Sequence, residues 1–166
     1  MVSHISRRGF LKSLALAGGA VAGGALLSAC GGGAATPAAP AAAPVTLEIG
    51  SKGDELAYDK TTLEAPAGSK ITLKLKNNAS EASGNKHNWV LAKAADADLV
   101  AVDGIGAGDA AGYLKADDKR VIAFVKMVGP GQSGEVTFDA PAAGTYTYIC
   151  TFPGHNVNMK GTLTIK

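Results

Sequence analysis

Gly144-Thr145-Tyr146-Thr147-Tyr148-Ile149-Cys150-Thr151-Phe152-Pro153-Gly154-His155-Asn156-Val157-Asn158-Met159-Lys160-Gly161-Thr162-Leu163-Thr164-Ile165 is the stretch whose reading decides the fold. Tyr146, Tyr148 and Cys150 share one parity, and successive side chains of a strand point to opposite faces, so the three lie on one face of an extended segment. Pro153-Gly154 interrupts the run as a turn. Gly161 to Ile165 then resumes the alternation. The loop between these two strands carries a thiol, an imidazole and a thioether within ten residues: Cys150, His155 and Met159. These are soft or borderline donors, with no carboxylate among them. Two His, one Cys and a distant axial Met form the ligand set of a blue-copper electron-transfer site, so the loop calls for one more His.

The chain holds three His, and His4 falls in a segment read below as removed on export. That leaves His87, in Asn85-Lys86-His87-Asn88-Trp89-Val90, at the start of another strand pattern. A Cys on a strand is more often a small buried hydrophobe than a ligand. The company of His87, His155 and Met159 reverses that expectation for Cys150. The reading is one type 1 copper per chain, with three ligands from one loop and a fourth from across the sandwich.

Outward from the loop, residues 45–166 keep the same grammar of short period-two runs broken by Gly, Pro, Asn and Asp. Ile71, Leu73 and Leu75 alternate with Thr72, Lys74 and Lys76 as a half-buried strand. Further strands are predicted at 45–50, 61–65, 88–93, 120–127, 134–138, 144–150 and 160–166. Closely spaced strands of this kind imply an all-β sandwich. Asp96 to Asp118 is the exception, a flap expected to hold one or two helical turns anchored by Leu99, Val100, Val102, Ile105, Tyr113 and Leu114. Trp89 and Met127 read as packing residues.

At the other end, Ser6-Arg7-Arg8-Gly9-Phe10-Leu11-Lys12 resembles a twin-arginine export signal. The uncharged run Ser13 to Ala29 is too short and, with Gly18, Gly19, Gly23 and Gly24, too glycine-rich to favour a membrane span. Leu27-Ser28-Ala29-Cys30 resembles a lipobox, in which the Cys is acylated and becomes the new N-terminus. Residues 1–29 are thus expected to be a signal peptide, and Cys30 a lipid anchor on the periplasmic side of the cytoplasmic membrane. Cys150 is then a lone thiol in an exported protein, where unpaired thiols are usually eliminated or put to use. Residues 30–44, all Gly, Ala and Pro apart from Cys30 and one Thr, cannot bury enough surface to repay ordering and read as a semi-extended tether before a copper-binding domain at 45–166.

The length of 166 residues leaves no room for a large multidomain enzyme. The formal charge of +2 owes its sign to Arg7, Arg8 and Lys12; without residues 1–29 there are 13 basic and 14 acidic residues. Such a balance offers no cluster of Lys and Arg to displace phosphate counterions, which sets nucleic acid aside as a partner.

The loop Cys150-Thr151-Phe152-Pro153-Gly154-His155 with Met159, continued by Lys160-Gly161-Thr162-Leu163-Thr164, is similar to the azurin copper loop, and His87-Asn88-Trp89-Val90-Leu91 to the other azurin ligand segment. Lys126 to Gly131 and Val136 to Asp139 look azurin-like too, and the resemblance covers residues 68–166, weakest over the flap. Lipobox, tether and azurin-like domain together resemble the auracyanins, membrane-associated cupredoxins of filamentous anoxygenic phototrophs. The resemblance implies an eight-stranded Greek-key cupredoxin sandwich, monomeric. It also implies a shuttle of single electrons between redox protein partners at the membrane, in a photosynthetic or respiratory chain. It further implies that the Asn88 side chain ties the His87 segment to the backbone near Thr151, that Lys86 stands where azurin has a glycine whose carbonyl lies opposite the Met, and that His155 is the electron's exit. The azurin disulfide has no cysteines to form it here. Asn156 and Asn158 make the loop's outer face more polar, and Ile149, read as the outward neighbour of Cys150, offers no aromatic port. An enzyme of the copper oxidase or nitrite reductase kind needs a further copper centre and more His than the chain has. A copper store or chaperone usually presents labile Met- or Cys-rich ligands. The expectation is therefore a carrier, not a catalyst.

Overall fold

The computed structural model describes residues 42–166; the expected export signal, Cys30 and the tether up to residue 41 lie outside the described residues. Eight strands follow in chain order: β1 (Val45–Gly50), β2 (Thr62–Ala65), β3 (Lys70–Lys76), β4 (His87–Lys93), β5 (Val121–Val128), β6 (Ser133–Asp139), β7 (Gly144–Ile149) and β8 (Lys160–Ile165). One helix, α1 (Ala97–Ala107), lies between β4 and β5. The strands form one sheet in the order β1-β3-β6 and another in the order β2-β8-β7-β4-β5. β1 runs parallel to β3 and β2 parallel to β8, while the remaining pairs are antiparallel. This is the all-β Greek-key sandwich expected, and no predicted strand end is displaced by more than one residue.

Alternation explains the agreement. In β3, Ile71, Leu73 and Leu75 are buried while Lys70, Lys74 and Lys76 are exposed. Between the sheets these side chains meet Trp89, Leu91, Tyr146, Tyr148, Leu163 and Ile165. Trp89 is fully buried, stacked on Tyr148 with centroids 5.7 Å apart and tilted against Phe138 at 6.1 Å. At about 25 cal/mol per Å² of apolar surface removed from water, these large side chains dominate the stability.

β4 departs from simple alternation because it is buried along both faces as far as Ala92. Trp89 and Leu91 face the space between the sheets, whereas Val90 and Ala92 join Ile149, Ala97, Val100 and Ala101 in a second, smaller core beneath α1. Two expectations are corrected here. The flap is a three-turn α-helix followed by a 3-10 turn at Asp109–Ala111, not one or two isolated turns. Its anchors are chiefly Ala97, Val100, Ala101 and Gly104, with Leu99, Val102 and Ile105 more than half exposed. Small residues win the inward face because they let the helix axis approach the sheet closely. Ile149 does not point outward to solvent, for α1 covers it completely.

Candidate metal centre

β7 delivers Cys150 to the end of the sandwich, and the following loop folds back on itself. The Cys150 N–H donates to the Met159 carbonyl at 3.0 Å, His155 N–H to Phe152 at 3.0 Å, and Met159 N–H to His155 at 2.8 Å. The reversal happens at Gly154, whose φ of 81° is left-handed and open to glycine. A 3-10 turn over His155–Val157 then aims the imidazole inward. His87 arrives from the first position of β4, where it pairs with Val128, and a bulge between His87 and Trp89 sets Asn88 apart from the regular ladder.

Three donors converge there. Cys150 Sγ lies 3.7 Å from His155 Nδ1 and 4.0 Å from His87 Nδ1, and the imidazole centroids are 5.2 Å apart. The ligand atoms of His87, Cys150 and His155 all fall within 4.8 Å of one another, and all three residues are buried. The loop holding His155 is open to solvent, yet His155 itself is only 5% exposed. Met159 is fully buried at the same end of the core.

The electrostatics suit a cation. Burial pushes the Cys150 thiol up to about 11, opposed by the Asn88 and Phe152 backbone N–H groups that point at the sulfur. Burial, and secondarily the neighbouring His155, brings His87 down to about 4, and burial also lowers His155. Both imidazoles are thus neutral bases near pH 7, and the thiolate is disfavoured until a positive charge replaces its proton. Two neutral nitrogens and a sulfur with amide donors around it, and no carboxylate in the set, match the preferences of copper.

The surroundings hold the donors in place. Asn88 Oδ1 accepts from the Thr151 N–H at 2.8 Å and Asn88 Nδ2 donates to Thr151 Oγ1 at 2.7 Å, joining the His87 and Cys150 segments across the sheet. The Tyr58 hydroxyl donates to the Asn88 carbonyl at 2.6 Å. Lys86 directs its side chain to Asp109 of the flap at 3.6 Å. Asn77, fully buried, is a support that sequence reasoning missed. Its Nδ2 donates to the carbonyls of Asn85 and Val128 at 2.8 and 3.1 Å, and its Oδ1 accepts from Ser51 Oγ and the Ala79 N–H. It fixes both the turn leading into His87 and the strand residue paired with it. A polar residue directly following the alternating run of β3 was the available signal.

A closed β-sandwich with a buried His, Cys, His cluster at one end, fed by one strand and one ligand loop, defines a cupredoxin. The chain belongs to the plastocyanin/azurin family of copper binding proteins, whose pattern matches residues 45–166. It is 47% identical over 146 residues to Auracyanin-A of Chloroflexus aurantiacus, covering 84% of this chain and 88% of that protein. It is 45% identical over 117 residues to the azurin of Bordetella pertussis, covering 68% and 78%. Among solved structures, auracyanin A, described as a "blue" copper protein of C. aurantiacus, superposes with a TM-score of 0.70 at 50% identity over 74% of this chain and 99% of that one. The dithionite-reduced auracyanin of Roseiflexus castenholzii gives a TM-score of 0.70 at 41% identity over 75% and 99%. The protein is a copper-binding electron carrier and not an enzyme.

Proposed function

We propose that this protein holds one type 1 copper on His87, Cys150, His155 and Met159 and carries single electrons between redox partners at the periplasmic face of the cytoplasmic membrane, attached there through acylated Cys30. The observation that carries the reading is the convergence of three buried soft or borderline donors within 4.8 Å. Bound copper supplies a one-electron Cu(II)/Cu(I) couple; the protein's part is to keep the donors fixed and water out. Cys150 would provide the thiolate, His87 and His155 the neutral imidazoles, and Met159, buried at the same end, a weaker thioether donor. Asn88 and Thr151 keep the two ligand-bearing segments in register, and the Lys86 carbonyl, next in the chain to His87, would be a further candidate group near the copper. His155, on the solvent-facing loop with Phe152, Pro153 and Gly154, is the exit for the electron.

The auracyanin-like sequence favours partners in a photosynthetic or respiratory chain, and the near-even charge of the exported portion favours transient docking over tight electrostatic capture. The test is metal content with the visible spectrum. The wild type should bind one copper and show an intense blue band, Cys150→Ser should lose the band, and His155→Gly should open a position that added imidazole refills. A full-strength band in Cys150→Ser would sink the assignment.

A further inference from the structure

The flap reaches the ligand loop through a file of rings. Tyr113 meets Phe152 edge-on, with centroids 5.1 Å apart and planes at 67°, and Phe152 in turn lies against the His155 imidazole at 4.5 Å, tilted by 40°. Edge-to-face contact at this separation is the favoured geometry for aromatic pairs. Tyr113 is half-buried, and among the described residues its hydroxyl makes no hydrogen bond to protein, so the contact belongs to the ring.

The backbone at Tyr113 is unusual. Its φ of 53° is left-handed, a region that bulky residues rarely enter. Strain of this kind persists only where the surroundings over-determine it, and those surroundings are visible. The Tyr113 N–H donates to the Gly108 carbonyl at 3.0 Å. Its own carbonyl oxygen sits so close to Gly104 of α1 that any Cβ there would collide with it, and the same Cβ would touch Thr151, the neighbour of Cys150. One residue earlier, the Gly112 carbonyl receives the Asn88 amide at 3.4 Å. The turn at Tyr113 is thus held within the flap by Gly108 and Gly104 and tied to the Asn88 segment at Gly112, and from this left-handed turn the ring meets Phe152.

We propose that Tyr113 is a positioning residue for the copper site, its ring bracing Phe152 and thereby fixing the plane of the His155 imidazole. This rests on His155 being a copper ligand, and it identifies where the stiffness of that ligand originates. His155 follows the conformationally free Gly154 on a loop facing solvent; Asn88 holds the loop at Thr151, backbone bonds close it around His155, and the imidazole itself meets Cys150 Sγ on its inner side. Besides the facing donors Cys150 and His87, the ring contact with Phe152 is a side-chain restraint on the imidazole. Without Tyr113, Phe152 loses its outer wall and can turn, and His155 can follow. A carrier whose ligand shifts between oxidation states must reorganise more at each transfer and exchanges electrons more slowly.

The test separates ring from backbone. Tyr113→Gly removes the ring while accepting the left-handed conformation, Tyr113→Asn does the same with a second residue at home there, and Tyr113→Phe restores the ring without the hydroxyl. In copper-free protein, the His155 ring resonances should broaden in Tyr113→Gly and Tyr113→Asn and stay sharp in Tyr113→Phe. In copper-loaded protein, the first two should keep full metal content and a blue band, with a shifted reduction potential and a several-fold slower electron self-exchange; Tyr113→Phe should match the wild type. Wild-type His155 resonances, potential and self-exchange in the glycine or asparagine variant would overturn the proposal, as would a phenylalanine variant behaving like them. Failure of the ligand reading appears separately, as a wild type without the blue band, and the copper-free resonances still decide whether Tyr113 braces His155.

Discussion

At the scale of single residues, the ligand-bearing segments are joined by buried polar groups that bond to one another. Asn88 shows the asymmetry that follows. Its side chain satisfies the buried Thr151 N–H and bonds the Thr151 hydroxyl as well. Removing the acceptor leaves an amide with no water to replace it, and an orphaned buried donor costs about 1–3 kcal/mol. Asn88→Ala should therefore lower the unfolding free energy of the copper-free protein by about that amount, measured in a urea titration. Thr151→Val should cost less, because it deletes only the hydroxyl and keeps the backbone bond. Equal losses in the two variants would mean that the hydroxyl, not the amide, is the bond that matters. The ligands themselves were legible in the sequence because soft donors of this kind in one loop are chemically distinctive, and His87 emerged by counting imidazoles. Asn77 and Tyr58 were not legible, since each acts on the site through a hydrogen bond to the backbone of a segment distant in sequence. The linear pattern marks only that Asn77 is a polar residue directly after the alternating run of β3, not which backbone groups it meets.

Among the elements, strands such as β3 could be read because period-two burial writes itself directly into residue order, with Ile71, Leu73 and Leu75 inward; β4, buried on both faces, was readable instead from its apolar run after a Gly- and Asn-containing turn. The helix could be read only as one or two turns in the flap, not in its length or its inward face. A surface helix normally buries its large apolar residues, whereas α1 turns Leu99, Val102 and Ile105 outward and buries Ala and Gly beside Val100. The preference for close approach over side-chain size has a consequence at Gly104. Alanine would favour the helix by roughly 1 kcal/mol, but its Cβ would run into the Tyr113 carbonyl, a backbone atom that cannot swing aside. Overpacking costs about 1–3 kcal/mol, so Gly104→Ala should destabilise the fold on balance; a melting temperature at or above the wild type would contradict this. The far end of the flap is held differently, by Arg120, which donates to Asp103 at 2.5 Å and to Asp118 at 2.6 Å. Hydrogen bonds from Arg120 hold the Asp118 carboxyl down to about 2, below its usual value near 3.8. A carboxylate depressed on folding adds stability above its unfolded pKa and loses it as pH falls toward the folded one. The stability difference between wild type and Arg120→Gln should accordingly be constant near neutrality and shrink between about pH 4 and pH 2. A difference unchanged across that window would show that Arg120 acts by packing alone.

For the whole molecule, the family match and the three converging donors all lie in the described domain. The matched family region begins at Val45, the first residue of β1, and β1 is already paired in full with β3 from that residue on. The contribution proposed for the preceding segment is location rather than chemistry. Cys30, once acylated, would give the domain an attachment that a single short chain could not, since membrane affinity grows by about 0.8 kcal/mol for each buried CH₂ and stable anchoring takes more than one chain. Gly31 to Pro44 are fourteen residues, which extended span at most about 46 Å at roughly 3.3 Å each. If the chain is anchored at Cys30 as proposed, that reach would let the copper end turn toward different membrane partners without release. Mass spectrometry of the mature protein should find the chain beginning at Cys30 and carrying the mass of a diacylglycerol and a fatty acyl group, and detergent should be needed to extract it from membranes. Cys30→Ala should abolish the added mass and leave the blue spectrum of the domain unchanged. An unmodified N-terminus well downstream of residue 30 in the wild type would instead make the protein a freely diffusing carrier, and its encounters with partners would then depend on its bulk concentration rather than on the length of a tether.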